Sequence, residues 1–107
     1  MSLAERGSSV VIHVRGEVDT ATAPQMGNAI DAQMARRREI ILDLSEVEFM
    51  DLHGLAVLMR ASRRARTEGR SLAVERPSAV VVRLFELVRL DGEISVIPGG
   101  SHPPAAA

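Results

Sequence analysis

The chain has 107 residues, which suffices for one domain with one core and not for two. Apolar residues make up 46% and charged residues 25%, as in soluble globular proteins, and the net charge of −1 argues against nucleic-acid binding, which needs a strongly basic surface. The absence of cysteine excludes disulfides, thiol catalysis and cysteine-ligated zinc.

The first part of the chain combines a polar start with a predicted strand. Residues 1–7 are polar and carry Glu5, so we expect a flexible N-terminus and no signal peptide. Residues 10–15 alternate with the period of a strand that has one apolar face. Gly16 then predicts a break or a bulge before residues 17–19.

Two helices and a buried strand are predicted next. Residues 22–25 have the form of a capping box, and the helix that they open is predicted to end at the arginines 36–38. The short apolar run 40–42 favours a strand covered on both faces, as in parallel sheets, that ends at residues 43–45. A second helix is predicted over about residues 54–68.

The last third of the chain completes the pattern. It predicts a strand at residues 71–75, a helix opening at 77–78 and a strand at 94–97. That third helix is apolar nearly all round, so it is either unusually buried or presents a patch to another chain. Residues 99–107, rich in glycine, proline and alanine, predict a disordered tail. We therefore expect a single α/β domain over residues 8–98, with helices packed on a small mixed β-sheet.

The joint between the buried strand and the second helix, residues 49–55, is the best candidate for a functional site, because open α/β sheets place their sites at such joints. Asp51 is placed to cap the helix by accepting backbone N–H bonds. His53 falls in the first turn, where the positive end of the helix dipole favours an anion and disfavours a cation. We therefore predict a neutral imidazole at pH 7.

Three segments resemble one protein family. Residues 17–24, EVDTATAP, resemble the family segment G-E-L-D-x-x-T-A-P, and residues 41–45, ILDLS, resemble its strand V-x-D-L-S. Residues 49–58, FMDLHGLAVL, resemble the signature F-M-D-S-S-G-L-G-V-L. Over residues 8–97 the chain is thus similar to the STAS domain of bacterial anti-sigma factor antagonists.

The resemblance implies a regulatory protein and not an enzyme. In that family the antagonist binds an anti-sigma factor that is also a serine kinase of GHKL-type fold, and phosphorylation of the second serine of D-S-S-G releases it. The expected partner is such a factor, with no nucleic acid, membrane, metal or cofactor. By position, the expected partner-binding residues are Asp19, Thr20, Thr22, Met50, Asp51, Leu52, His53, Gly54, Leu55 and Leu58.

The chain departs from the family at the phospho-acceptor. Leu52 and His53 stand where the family has its two serines, so the ordinary serine switch cannot operate at position 53. In the interpretation that we favour, His53 is a contact residue that has lost regulation. In the alternative it is functional itself, as a phospho-acceptor, a pH-sensitive contact or a ligand.

Other functions compete with this one. A STAS module can also serve as a scaffold or sense a nucleotide or another small molecule near residues 51–54. An enzyme or a histidine phosphocarrier is disfavoured, because the sequence has no nucleophile elbow, P-loop or dinucleotide fingerprint.

Two charged groups have alternative interpretations. If Asp19, Asp43 and Asp51 converge they form a candidate Mg²⁺ site, although such residues more often cap turns and helices. The arginines between residues 60 and 70 fit a solvated face or an acidic partner better than nucleic acid. Because no apolar run approaches the ~20 residues that cross a bilayer, we expect a cytoplasmic protein.

Overall fold

The computed structural model describes residues 1–89 and 93–97. In chain order its elements are β1 Ser2–Arg6, β2 Ser9–Val18, α1 Ala23–Ala35, β3 Glu39–Met50, α2 Leu52–Thr67, β4 Leu72–Glu75, α3 Ala79–Val88 and β5 Ser95–Val96. The mixed α/β architecture predicted from the sequence is confirmed. The predicted tail, residues 99–107, lies outside the described residues.

The strands lie in the sheet in chain order, β1-β2-β3-β4-β5. β1 pairs antiparallel with β2, and the remaining neighbours pair in parallel. Right-handed crossovers that always step in the same direction place α1, α2 and α3 on the same face of the sheet. The core agrees with this arrangement, because it combines buried helix residues with one alternating set of strand residues. That set includes Val10, Ile12, Val14, Ile40, Leu42, Leu44, Leu72 and Val74.

The opposite face of the sheet carries charged pairs. His13, Asp43 and Glu75 are in register across β2, β3 and β4. Arg6 Nη1 donates to Glu75 Oε1 over 2.7 Å, and Arg76 pairs with Asp43. Burial raises the pKa of the Asp43 carboxyl, but hydrogen bonds from Ser45 and Arg76 outweigh burial and hold it below its usual value.

This charged face corrects one expectation about β3. The apolar run 40–42 predicted a strand covered on both faces, but Ile41 is only half-buried while Ile40 and Leu42 are buried. The apolar run 40–42 lies in the middle of a parallel sheet. The second face of this sheet is covered by long charged side chains and not by helices.

Two further differences concern strand lengths. The N-terminal segment expected to be flexible forms β1, which pairs with β2 through a turn at Gly7 and is pinned by ion pairs such as Arg38 with Glu5. All its residues are exposed, so no alternation of apolar residues in the sequence indicates this strand.

β3 continues to Met50 rather than ending at residues 43–45, because β2 resumes pairing after the bulge predicted at Gly16.

The third helix is exposed rather than unusually buried. Val81 is its buried residue, whereas Val80, Val82, Leu87 and Val88 are exposed. Of the two interpretations offered by its composition, the structure thus favours an apolar surface patch. Within the described residues, no helix combines the length and the apolar character that a bilayer-spanning segment needs.

We predict that Leu42→Ala costs about 2–5 kcal/mol in the free energy of unfolding, because Leu42 is fully buried beneath the helices. Ile41→Ala should cost only about 1 kcal/mol, because Ile41 lies half-buried on the charged face. Urea unfolding followed by circular dichroism measures both values. Equal losses would show that both faces of β3 are covered alike.

Candidate functional site

The site lies where β2 and β3 end side by side. Val18 and Met50, the last residues of the two strands, are in register, and the Asp51 backbone N–H donates to the Val18 carbonyl over 3.1 Å. Parallel pairing therefore brings together the turn of residues 19–22, which leads into α1, and the start of α2.

Asp51 caps α2, as the sequence predicted. Its Oδ1 accepts the backbone N–H groups of His53 over 2.9 Å and Gly54 over 3.2 Å. These donors have no partner within the helix, so the carboxylate satisfies them and favours the positive end of the helix dipole. The cap holds the first turn of α2 in position at the end of β3.

Asp19 organises the neighbouring turn. Its Oδ1 accepts the backbone N–H groups of Ala21 and Thr22, each over 3.0 Å. The Thr22 hydroxyl accepts the Asp19 backbone N–H over 2.9 Å and lies 2.7 Å from the Glu17 carbonyl. The predicted capping box is therefore wrong at this point: Thr22 precedes α1, but its hydroxyl bonds back into the turn and not to the helix.

One side-chain hydrogen bond joins the two turns. Thr20 Oγ1 lies 3.0 Å from His53 Nδ1, and both residues are exposed. The carboxylate oxygen Oδ2 of Asp51 lies 3.4 Å from the same nitrogen. A hydrolytic triad needs the hydroxyl and the carboxylate on opposite ring nitrogens, so this arrangement does not form one. The neutral state of His53 stays a prediction.

The carboxyl groups of the site are held ionised. Hydrogen bonds from the Thr22 hydroxyl and backbone lower the pKa of Asp19. Desolvation raises the pKa of Asp51, but hydrogen bonds from Gly54 and His53 outweigh it, so this pKa also lies below the usual value. The surface therefore presents two fixed anions beside the His53 ring.

Gly54 makes the close approach of α2 to β2 possible. A Cβ at this position would lie 2.7 Å from Val18 Cγ1, 2.9 Å from Met50 Cγ and 3.0 Å from the Val18 carbonyl oxygen. Any side chain would therefore push the start of α2 away from β2. The glycine is required by packing and not by a positive φ angle.

Burial divides the expected partner-binding residues into two groups. Thr20, Leu52 and His53 are exposed, and Asp19, Thr22 and Asp51 are half-buried. The other four are buried in the chain by itself, and their contact with a partner stays a prediction: these are Met50, Gly54, Leu55 and Leu58. The spacing of the signature identified the segment correctly but did not separate its core-facing side chains from its outward ones.

One exposed residue was missing from the expected set. Phe49 is 48% exposed, and Leu52, three residues later, is 65% exposed. At the end of β3, residues 48 and 49 are both exposed between buried Val47 and Met50, so burial does not alternate there and strand periodicity in the sequence does not identify Phe49 as exposed. Together Phe49, Leu52, Thr20 and His53 form what we call the turn surface.

The three aspartates considered for a metal do not converge on one. Asp19 and Asp51 accept backbone N–H groups, whereas Asp43 is buried and paired with Arg76 and His13. Within residues 1–89 and 93–97, no group of three or more histidine or acidic side chains is arranged to hold a metal ion. The cap interpretation of Asp19 and Asp51 is the one that fits the structure.

Comparison with known proteins identifies relatives over most of the chain. A family model described as "Mlab, STAS domain" matches residues 1–98. The anti-sigma-B factor antagonist of Listeria monocytogenes serovar 1/2a is 33% identical over 86 residues, covering 79% of this chain and 75% of that protein.

Solved structures agree with these relatives. A crystal structure of an anti-sigma factor antagonist from Mycobacterium paratuberculosis matches with a TM-score of 0.81 and 28% identity, covering 92% of this chain and 84% of that one. The Bacillus cell fate determinant SpoIIAA in its phosphorylated form matches with a TM-score of 0.69 and 20% identity, over 90% of this chain and 89% of that one. This second likeness shows the shared fold alone.

Replacing Gly54 tests the packing of the site. We predict that Gly54→Ala destabilises the fold by about 1–3 kcal/mol, because the new methyl group overlaps Val18 and Met50. Gly27→Ala is the matched control: its Cβ would meet Val57 Cγ1 at 3.4 Å, an ordinary contact, within the interior of α1. That control should be neutral or stabilising by up to about 1 kcal/mol. Chemical denaturation distinguishes the two, and equal effects would contradict the close approach.

The caps predict a titration result. Carbon-13 NMR should give midpoints below 3.8 for the carboxyl groups of both Asp19 and Asp51. Because each pKa is lower in the folded state than in the unfolded state, these groups stabilise the fold above about pH 4, and that contribution is lost as the pH falls through the folded-state pKa. Asp51→Asn assigns the second signal by removing it. A midpoint at or above 3.8 for Asp51 would contradict its role as an ionised cap.

Proposed function

The chain belongs to the STAS domain family, and we propose that it is an anti-sigma factor antagonist that binds an anti-sigma factor through the turn surface. The observation that carries this proposal is the Thr20–His53 hydrogen bond, which joins the two family-like turns into one continuous surface. A relative that is 33% identical is named an anti-sigma-B factor antagonist, which supports the choice of partner.

The composition of the turn surface suits a protein partner. Leu52 and Phe49 offer apolar area that gains free energy on being covered, and the polar groups of Thr20 and His53 lie beside them. Interfaces of this kind derive most of their binding energy from a few apolar or aromatic anchors surrounded by polar groups. Asp19 and Asp51 hold the backbone beneath these contacts in one conformation.

The proposed partner is a protein of GHKL-type kinase fold rather than a nucleic acid. The basic face of α2 is largely neutralised within the chain, since Arg64 pairs with Asp31 and Glu68, and Arg63 pairs with Glu93. Each of these pairs offsets a positive charge that nucleic-acid binding would need. We place the interaction in the cytoplasm, where sigma factors act, and it needs no cofactor.

The proposed role is regulatory and not enzymatic. Position 53 has no hydroxyl to receive a phosphate, so the serine switch of the family is not expected there. The contacts of Thr20 and Asp51 with one and the same nitrogen of His53 do not support a proton relay. We therefore propose that the chain acts by binding its anti-sigma factor and not by changing it chemically.

Capture of the partner from a lysate of the native host tests this proposal. We predict that the tagged chain enriches an anti-sigma factor, identified by mass spectrometry, and that Leu52→Glu lowers its recovery at least tenfold by placing a charge in the interface. Leu87→Glu is the matched control, since Leu87 is also an exposed leucine but lies on α3.

Circular dichroism establishes that both variants fold. Equal loss with Leu87→Glu would move the interface to α3 and contradict the turn surface. Failure of the wild-type chain to enrich any anti-sigma factor would contradict the proposed function itself.

A further inference from the structure

We propose that α3 is the contact surface of a weak homodimer, in which the α3 helices of two copies of the chain pack antiparallel about a two-fold axis. The contact is made by Val80, Leu84 and Leu87, which we call the α3 stripe. These residues belong to a different element from the turn surface, so this inference does not depend on the proposed function.

The α3 stripe is an apolar row that the rest of the described chain leaves largely uncovered. Its residues recur at intervals of four and three, so they lie on one side of the helix. Leu87 is 74% exposed, the highest fraction of any large apolar side chain among the described residues, and Val80 is 42% exposed. Leu84 is half-buried and packs against the core. Covering this row removes apolar surface from water, which favours association.

The helix that carries the stripe is anchored to the sheet. The Ser78 hydroxyl accepts the Val81 backbone N–H over 3.5 Å, and the Ser78 backbone N–H donates to the Leu44 carbonyl over 3.1 Å. Val81 is fully buried beneath the helix. Because α3 is already formed and held in place, binding to its outer side costs little conformational entropy.

Charge complementarity identifies a second copy of the chain as the occupant. Arg83 and Glu86 are exposed on one flank of the stripe, and neither forms a hydrogen bond or an ion pair with another described residue. In an antiparallel pair related by a two-fold axis, each flank faces the same flank of the other helix. Arg83 therefore lies near the partner's Glu86, and symmetry makes this ion pair twice.

The apolar residues match in the same arrangement. A two-fold axis level with residues 83 and 84 places Val80 against the partner's Leu87, with Leu84 near the centre of the contact. Arg83 and the partner's Glu86 are then offset by two residues, about 3 Å along the helix axis, which their long side chains can span. The net charge of −1 adds little repulsion between the two copies.

The size of the contact sets its strength. One helix of 10 residues from each copy covers less than the ~800 Å² per partner of a standard stable interface. We therefore expect a Kd of about 10 μM to 1 mM. At the far lower concentration of a lysate capture the chain is monomeric, so Leu87→Glu remains a valid control there.

Sedimentation velocity from about 20 μM to 1 mM tests the inference, with interference optics because the chain has no Trp or Tyr. The wild-type chain should change from monomer to dimer across this range. Leu87→Glu should raise the Kd at least tenfold, because it places a charge in the apolar row. Leu3→Glu is the matched control: it alters an exposed leucine on β1 and should leave the Kd unchanged.

Exchanging the charges tests the antiparallel pairing itself. Arg83→Glu and Glu86→Arg should each weaken self-association, because each places like charges opposite one another. An equimolar mixture of the two variants should associate at least tenfold more tightly than either variant alone, because every ion pair is restored between unlike chains. Circular dichroism establishes that all variants fold.

Three results would overturn the inference. A wild-type chain that stays monomeric to about 1 mM would leave the stripe to a different protein. Loss of the dimer with Leu3→Glu as great as with Leu87→Glu would place the contact elsewhere than α3. A mixture that associates no more tightly than its components would contradict the antiparallel pairing. The capture experiment tests the proposed function separately from all three.

Discussion

The structure depends on the close approach between the end of β2 and the start of α2. The Val18 carbonyl accepts the Asp51 backbone N–H, and Gly54 leaves room for the Val18 side chain against the first turn of the helix. Because these contacts fix α2 relative to β2, they also fix the distance between Thr20 and His53, which belong to different turns. The core packing at this point therefore determines the geometry of the surface above it.

The electrostatics of the surface follow from the same arrangement. Asp19 and Asp51 each satisfy backbone N–H groups that would otherwise lack partners, so both remain ionised and rigid. The imidazole and the Thr20 hydroxyl lie on top of this framework and stay accessible. A partner bound to this surface would therefore contact a changed charge at Thr20 or His53 without any rearrangement of the core.

Much of this fold could be predicted from the sequence, because local signals agreed with one another. The bulge at Gly16, the cap at Asp51 and the alternation of helices with short apolar strands were all identified. β1 was missed because its residues are exposed on both sides and held by cross-strand bonds and ion pairs to distant positions such as Glu75. The turn surface was located by its motif, but only tertiary packing shows that Leu58 points inward and Phe49 outward.

The most direct test of the account is NMR mapping of the isotope-labelled chain bound to unlabelled anti-sigma factor. We predict that the amide signals of residues 19–22 and 49–53 shift or broaden most, while those on the exposed face of α3 are little changed. Perturbations that cluster on α3 around Val80 and Leu87, with the two turns unaffected, would contradict the account, because the partner would then bind a surface that the Thr20–His53 bond does not organise.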